Sequence, residues 1–259
     1  MKLTIGVMVA PRKIETVDRT LQSLSLAGFS DDLTYCFFEP GEYSCQWKNQ
    51  VKRPDCFFST SYPLIPSPEG KFGNFQNFVQ TLRDLVAIDP SSDAVMIVED
   101  DAIFAQNVRV LVADEIDTGF QGGLSLYTPN IRQFFEIEKK GFQKITREYF
   151  FGGLALVISM EIAIAILNSD DILGWSGGRR QPPGIHPWER EASDAWVGRA
   201  VRKIGKEWWG WNPSLVGHYC PSSCQNGNSA RGLGGPHTGA RQAKRFIGEE
   251  TDAVEYFRL

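Results

Sequence analysis

The residues of this chain best placed to do chemistry are Glu99, Asp100 and Asp101, three consecutive carboxylates that end the apolar run Val95-Met96-Ile97-Val98. At a separation of about 4 Å, two like charges repel by roughly 4 kcal/mol at an effective dielectric of about 20. Such a cluster needs a cation, a proton or strong hydrogen-bond donors. A divalent metal is the simplest partner, because hard oxygen ligands suit magnesium or manganese and these ions keep positions open for phosphate oxygens of a substrate. The alternative is an acidic turn, fully solvated at the surface.

A second stretch runs from Trp211 to Ser223 and carries His218, one of only three histidines in the chain. It follows an apolar strand-like run and precedes a polar, Gly-rich tail, which makes it a candidate ligand. A structural histidine bonded to backbone is the alternative. The tryptophans at 175, 188, 196, 208, 209 and 211 could stack on sugar faces or fill a core. Trp175 and Trp188, flanked by Gly and Pro, are the two with a functional reading.

These residues need a scaffold, and the sequence alternates strand and helix signals. Leu3 to Ala10 is an apolar run ended by Pro11. Val17 to Leu26 has helical spacing until Gly28 stops it, and Leu33 to Phe38 reads as a second strand. Asn74 to Ile88 reads as a helix with Phe75, Phe78, Val79, Leu82, Leu85 and Val86 inward. Val95 to Val98 then reads as a strand buried on both faces of a parallel sheet. Its carboxyl end, with the carboxylates, opens where ligands bind in open α/β sheets. Gly123 to Tyr127 and Gly152 to Ser159 are further strands, the latter leading into a helix from Met160 to Leu167 capped by Ser159. A last helix is expected from Ser193 to Ile204. A short strand at Cys56 to Ser59 is the only element read between Glu42 and Phe72.

Composition bounds the class. The 259 residues are 42% hydrophobic and 22% charged, as in a globular enzyme, and a formal charge of -4 argues against a general nucleic-acid footprint. Gly152 to Leu167, the most apolar stretch, is too short to span a membrane, and the start of the chain lacks a signal-peptide pattern. A cytoplasmic protein is expected. The five cysteines are odd in number and lack paired Cys-x-x-Cys spacing, so neither a disulfide framework nor a zinc site is expected.

Taken together, the acidic motif after a central strand, a Gly-Gly segment before a Ser-capped helix, a later acidic helix start and Pro213-Ser214-Leu215-Val216-Gly217-His218 resemble glycosyltransferases of the GT-A fold. The resemblance covers roughly Lys2 to Gly248. It implies an α/β fold with a Rossmann-like, mixed, mostly parallel central sheet flanked by helices. The whole of 1–259 would be one domain, with 1–128 binding the nucleotide sugar and 129–259 the acceptor. Glu99-Asp100-Asp101 stands where that family has Asp-x-Asp, although it begins with Glu. Asp101 would hold Mn2+ or Mg2+, His218 would be the second protein ligand, and Asp100 would face the ribose or a metal-bound water. Ala10, Pro11, Arg12 and Glu39 match positions that frame the base and ribose. Gly73, Asn74 and Asn77 match the start of a helix that approaches the donor, with Arg83 reaching for phosphate.

The resemblance further implies transfer of a sugar from a nucleotide-diphosphate sugar, uridine-linked, to an acceptor hydroxyl with inversion. Inversion requires a base within hydrogen-bond reach of that hydroxyl. Asp194 matches that position, with Glu189 and Glu191 in reserve. His237 or Arg241 in the Gly-rich tail could touch diphosphate. A metal-dependent nucleotidyltransferase or other phosphoryl-transfer enzyme would use the same carboxylates but would want a richer phosphate loop than Arg12 and Lys13. A carbohydrate-binding protein would explain the tryptophans but not the acidic cluster. The acceptor, whether glycan, metabolite, protein or modified nucleic acid, and the oligomeric state are not written in the sequence.

Overall fold

A computed structural model describes residues 1–9, 16–38, 56–57, 74–119, 122–128, 139–145, 153–170, 193–219 and 246–258, without the side chains of 38, 56–57, 74–76 and 193–196. The strands are β1 (Leu3–Val9), β2 (Leu33–Phe38), β3 (Cys56–Phe57), β4 (Ala94–Glu99), β5 (Ala102–Phe104), β6 (Gly122–Ser125), β7 (Gly141–Lys144), β8 (Ala155–Ser159), β9 (Glu207–Asn212) and β10 (Val216–His218). Eight of them form one sheet in the order β3-β2-β1-β4-β8-β6-β9-β7. All but β7 and β8 run the same way, so the sheet is mixed and mostly parallel, as expected. β5 and β10 pair separately as an antiparallel ribbon.

Helices cover both faces. On one face α1 (Val17–Leu24), α3 (Val108–Asp117) and α6 (Ala253–Arg258) share a core with Leu3, Ile5, Val7, Met96, Val98 and Val157. On the other, α2 (Asn74–Ile88), α4 (Met160–Leu167) and α5 (Ser193–Lys203) pack on Met8, Val95, Ile97, Leu156 and Ile158. The alternation of β4 between these two clusters explains its unbroken apolar sequence. A strand covered on both sides has no face to give to water.

Local chemistry sets the element ends. Ser159 accepts from Ile162 N at 3.4 Å and caps α4 as its sequence predicts. The first helix runs only to Leu24, and a π-helical turn over Ser25–Phe29 carries the chain to Gly28, whose φ of 94° suits a residue without Cβ. Gly123 is required for a different reason. A Cβ there would lie 2.4 Å from the Trp208 ring, so the glycine lets β6 accept the largest fully buried side chain among the described residues. The strand expected from Gly123 to Tyr127 is Gly122–Ser125, and the one expected from Gly152 begins at Ala155. Trp208 and Trp211 are buried on opposite faces of β9, so both serve the core. Cys36 is buried.

The amino ends of β1 and β4 are fastened by a polar cluster. Lys2 Nζ donates to Asp89 Oδ1 at 3.0 Å, and the buried Thr4 and Ser92 hydroxyls bond to Asp89 Oδ2 at 3.3 and 3.0 Å. The Lys2 ammonium, then the Ser91 hydroxyl, hold the Asp89 carboxyl well below the usual carboxylate range. A folded-state pKa below the unfolded one stabilises the protein above about pH 4 and loses that contribution as pH falls further. Asp89→Asn should therefore lower the melting temperature at pH 7 and narrow the gap to wild type at pH 3. An equal gap at both values would remove Asp89 from the acid response.

Candidate metal centre

The strand order creates the site. From β1 the chain leaves toward β2 and β3 on one side and returns through α2 to β4 on the other, so the connections at the carboxyl ends of β1 and β4 diverge. That divergence opens the crevice in which α/β sheets bind ligands. Glu99 is the last residue of β4 and pairs in register with Met8 at the end of β1. Asp100 N extends the ladder by donating to Met8 O at 3.1 Å, and Glu99 N donates to Leu154 O at 2.9 Å. The chain then turns through Asp100 and Asp101 into β5.

β5 is what brings the histidine in. Its antiparallel pairing with β10 sets His218 opposite Ala102, next to Asp101. Tyr219 N closes this junction by donating to Asp101 O at 2.7 Å. The result is a contact of 3.0 Å between His218 Nε2 and Asp101 Oδ2, with the Asp101 side chain 2% exposed and that of His218 13%. Tyr127 packs near the imidazole at 6.4 Å between ring centroids. Glu99 completes the group: one ligand atom each from Glu99, Asp101 and His218 lies within 4.8 Å of the other two.

This donor set fits a hard divalent ion. Neighbouring donors around an octahedral ion with bonds of about 2.1 Å stand about 3 Å apart, close to the His218–Asp101 separation. Two carboxylates and one imidazole make a set of hard and borderline donors with no thiolate among them. Burial decides against a merely solvated acidic turn, since Asp100 and Asp101 are each 2% exposed. Carboxylates so withdrawn from water require compensation.

The motif comparison assigns the metal to Asp101 and His218 and leaves Glu99 without a role. A signal for Glu99 is nonetheless present, because it ends the strand two residues before Asp101, at the carboxyl end of β4. Asp100 is buried, and its carbonyl accepts from Thr20 Oγ1 at 2.8 Å. Asn77 is buried in the first turns of α2, whereas Arg83 is exposed and about 13 Å along the axis from the helix start. That places Arg83 level with Thr81 and Leu85, which cover Gly6 in the middle of β1, and away from the crevice. The side chains of Asn74 and Asp194 lie outside the described residues, as do Ala10, Pro11, Arg12, Glu39, Gly73, Trp175, Trp188, Glu189, Glu191, His237 and Arg241 entirely.

The helix starts can nonetheless be placed. α2 ends at Ile88, just before β4 begins at its amino end, and its 15 residues span about 22 Å, close to the length of β4. Its N-terminus therefore lies at the carboxyl end of the sheet. α5 stands likewise before β9, which runs in the direction of β4 through β6, so residues 193–194 also lie at that end. Both helices cover the face of Val95 and Ile97, the face to which alternation assigns Glu99. Helix N-termini favour anions. The carboxylates and the two helix N-termini thus lie at the same end of the sheet.

No protein-family model matches the chain, and no curated protein matches it. Among solved structures, mannose-1-phosphate geranyltransferase from Thermus thermophilus aligns with a TM-score of 0.48 at 10% identity, covering 82% of this chain and 74% of that one. A Bacillus anthracis protein provisionally described as a glucose-1-phosphate thymidylyltransferase, solved with sucrose, aligns at 0.44 and 9% identity over 80% and 88%. A protein from Desulfovibrio desulfuricans, provisionally described as a nucleotide-diphospho-sugar transferase, aligns at 0.43 and 12% over 81% and 80%. With every one of these scores below 0.5, the functional reading rests on the site.

Proposed function

We propose that this protein is a transferase that moves a sugar from a nucleotide-diphosphate sugar to an acceptor hydroxyl, with a divalent metal as cofactor. The observation that carries the reading is the convergence of Glu99, Asp101 and His218 at the crevice between β1 and β4. Glu99 and Asp101 together bring two negative charges, and His218 adds a neutral donor and keeps the set from becoming a purely anionic trap. Bound there, Mn2+ or Mg2+ would supply positive charge to the diphosphate, which leaves as the sugar is transferred. The N-termini of α2 and α5 favour the same anion. The connection after β1, with Ala10, Pro11 and Arg12, and Glu39 after β2 are proposed to frame the nucleoside, and Asp100 the ribose. Asp194 would accept the proton of the attacking hydroxyl, with Glu189 and Glu191 as reserves. The chain would act as one domain, 1–128 for the donor and 129–259 for the acceptor. No helix among the described residues is long and apolar enough to cross a membrane.

Incubation with Mn2+ and a panel of uridine, guanosine and thymidine diphosphate sugars tests the reading, with water as the default acceptor. Slow release of nucleoside diphosphate from one of them is expected. Formation of nucleoside triphosphate from that sugar nucleotide and pyrophosphate would instead mark a nucleotidyltransferase and contradict sugar transfer.

A further inference from the structure

Two consecutive residues of α1 reach the two strands that carry the donor set. Thr20, fully buried, donates its hydroxyl to the Asp100 carbonyl at 2.8 Å. Arg19 points to the other strand, its guanidinium 4.0 Å from the centre of the Tyr219 ring. Tyr219 directly follows His218, and its N–H bonds the Asp101 carbonyl. Arg19 also bonds Glu249 at 3.0 Å, which orients the guanidinium over the ring. α1 itself is seated in the core through Val17 and Leu24.

We infer that Arg19 and Thr20 are positioning residues of the metal centre, bracing Tyr219 and the Asp100 carbonyl so that His218 and Asp101 keep the separation an ion requires. The inference rests on reading Glu99, Asp101 and His218 as a cation site. Its physical basis is the narrow tolerance of such ions, whose bonds of about 2.1 Å demand donors fixed within small limits. Neither residue touches the ion; Thr20 holds the carbonyl of the residue before Asp101, and Arg19 holds the side chain of the residue after His218. The Arg19–Glu249 pair is half exposed, so a stabilising role alone would be slight. Loss of partners behind the ligands typically weakens metal binding ten- to a hundredfold.

Manganese titration of the full chain, followed by the paramagnetic resonance of free Mn2+, reads this directly, alongside melting curves of the metal-free variants. Arg19→Ala and Thr20→Val are expected to raise the Kd for Mn2+ by about ten- to a hundredfold. The melting temperature of Arg19→Ala should stay close to wild type. Arg19→Lys keeps the charge without the planar stack and should fall between. Tyr219→Phe keeps the ring under the guanidinium but loses the hydroxyl that bonds Arg19, and should lose less affinity than Arg19→Ala. Should Thr20→Val not fold, Arg19→Ala decides alone, since its side chain is at the surface. Wild-type affinity in Arg19→Ala, with binding lost in Asp101→Ala, would overturn the bracing role and leave the metal site intact. Absence of Mn2+ binding by the wild type would overturn the metal site and the bracing role with it.

Discussion

Asp101→Ala is expected to abolish Mn2+ binding and sugar transfer together while the protein stays folded. Asp101 is the hub of the site: its carboxylate meets His218 Nε2 at 3.0 Å and its carbonyl accepts from Tyr219 N at 2.7 Å. Alanine keeps the second contact, which belongs to the backbone, and removes the first. With one of three protein donors gone, the remaining Glu99 and His218 would hold an ion weakly and the diphosphate charge would go uncompensated. Transfer should fall to background, while the metal-free variant should still melt in one cooperative transition, because the backbone bond between Asp101 and Tyr219 that closes the junction is untouched. Calorimetry with Mn2+ and a transfer assay check both halves. Undiminished turnover would remove Asp101 from the reaction.

Asp194→Asn is expected to lower the transfer rate by about a hundred- to ten-thousandfold with donor affinity nearly unchanged. Residue 194 lies in the first turn of α5, at the carboxyl end of the sheet and on the face to which alternation assigns Glu99. Asparagine preserves size and hydrogen-bonding reach but cannot take the proton of an attacking hydroxyl. A helix-capping role predicts the opposite result, because asparagine caps about as well as aspartate. Rate, donor affinity and melting temperature measured on this one variant separate the two. Full activity, or a product that retains the donor's anomeric configuration, would exclude Asp194 as the base and turn attention to Glu189 and Glu191.

The framework is legible in the sequence where the signal is local. The apolar run ending in carboxylates identifies β4, because a strand buried on both faces must be apolar until it leaves the sheet. The Asn74–Ile88 spacing gives α2 its bounds, and the Ser159 cap gives α4 its start. Ala102–Phe104 escapes a reading by pattern because three residues carry no periodicity, and only pairing with Val216–His218 reveals it as a strand. That distant pairing places His218 beside Asp101, so the sequence can suggest both residues yet not their contact. β9 is hidden for another reason: Glu207-Trp208-Trp209-Gly210-Trp211-Asn212 does not alternate, since it buries tryptophans on both faces and needs Gly123 opposite to make room. Comparison with an Asp-x-Asp pattern leaves Glu99 without a role, although it ends β4 two residues before Asp101 and stands with Asp101 and His218 in space. Arg83 stands about 13 Å along the axis from the start of α2, level with Thr81 and Leu85 over the middle of β1, a placement that follows from the rise of the helix and not from nearness in sequence.

The most direct test of the central claim is a calorimetric titration of uridine diphosphate into the wild-type protein with Mn2+ present and with Mn2+ removed by chelation, repeated on Asp101→Ala. A metal centre at Glu99, Asp101 and His218 that meets the diphosphate predicts binding that is strong with Mn2+ and weak without it, and equally weak for Asp101→Ala under both conditions. Wild-type binding that is indifferent to Mn2+, or an Asp101→Ala variant that still binds the nucleotide more tightly when Mn2+ is added, would contradict the account.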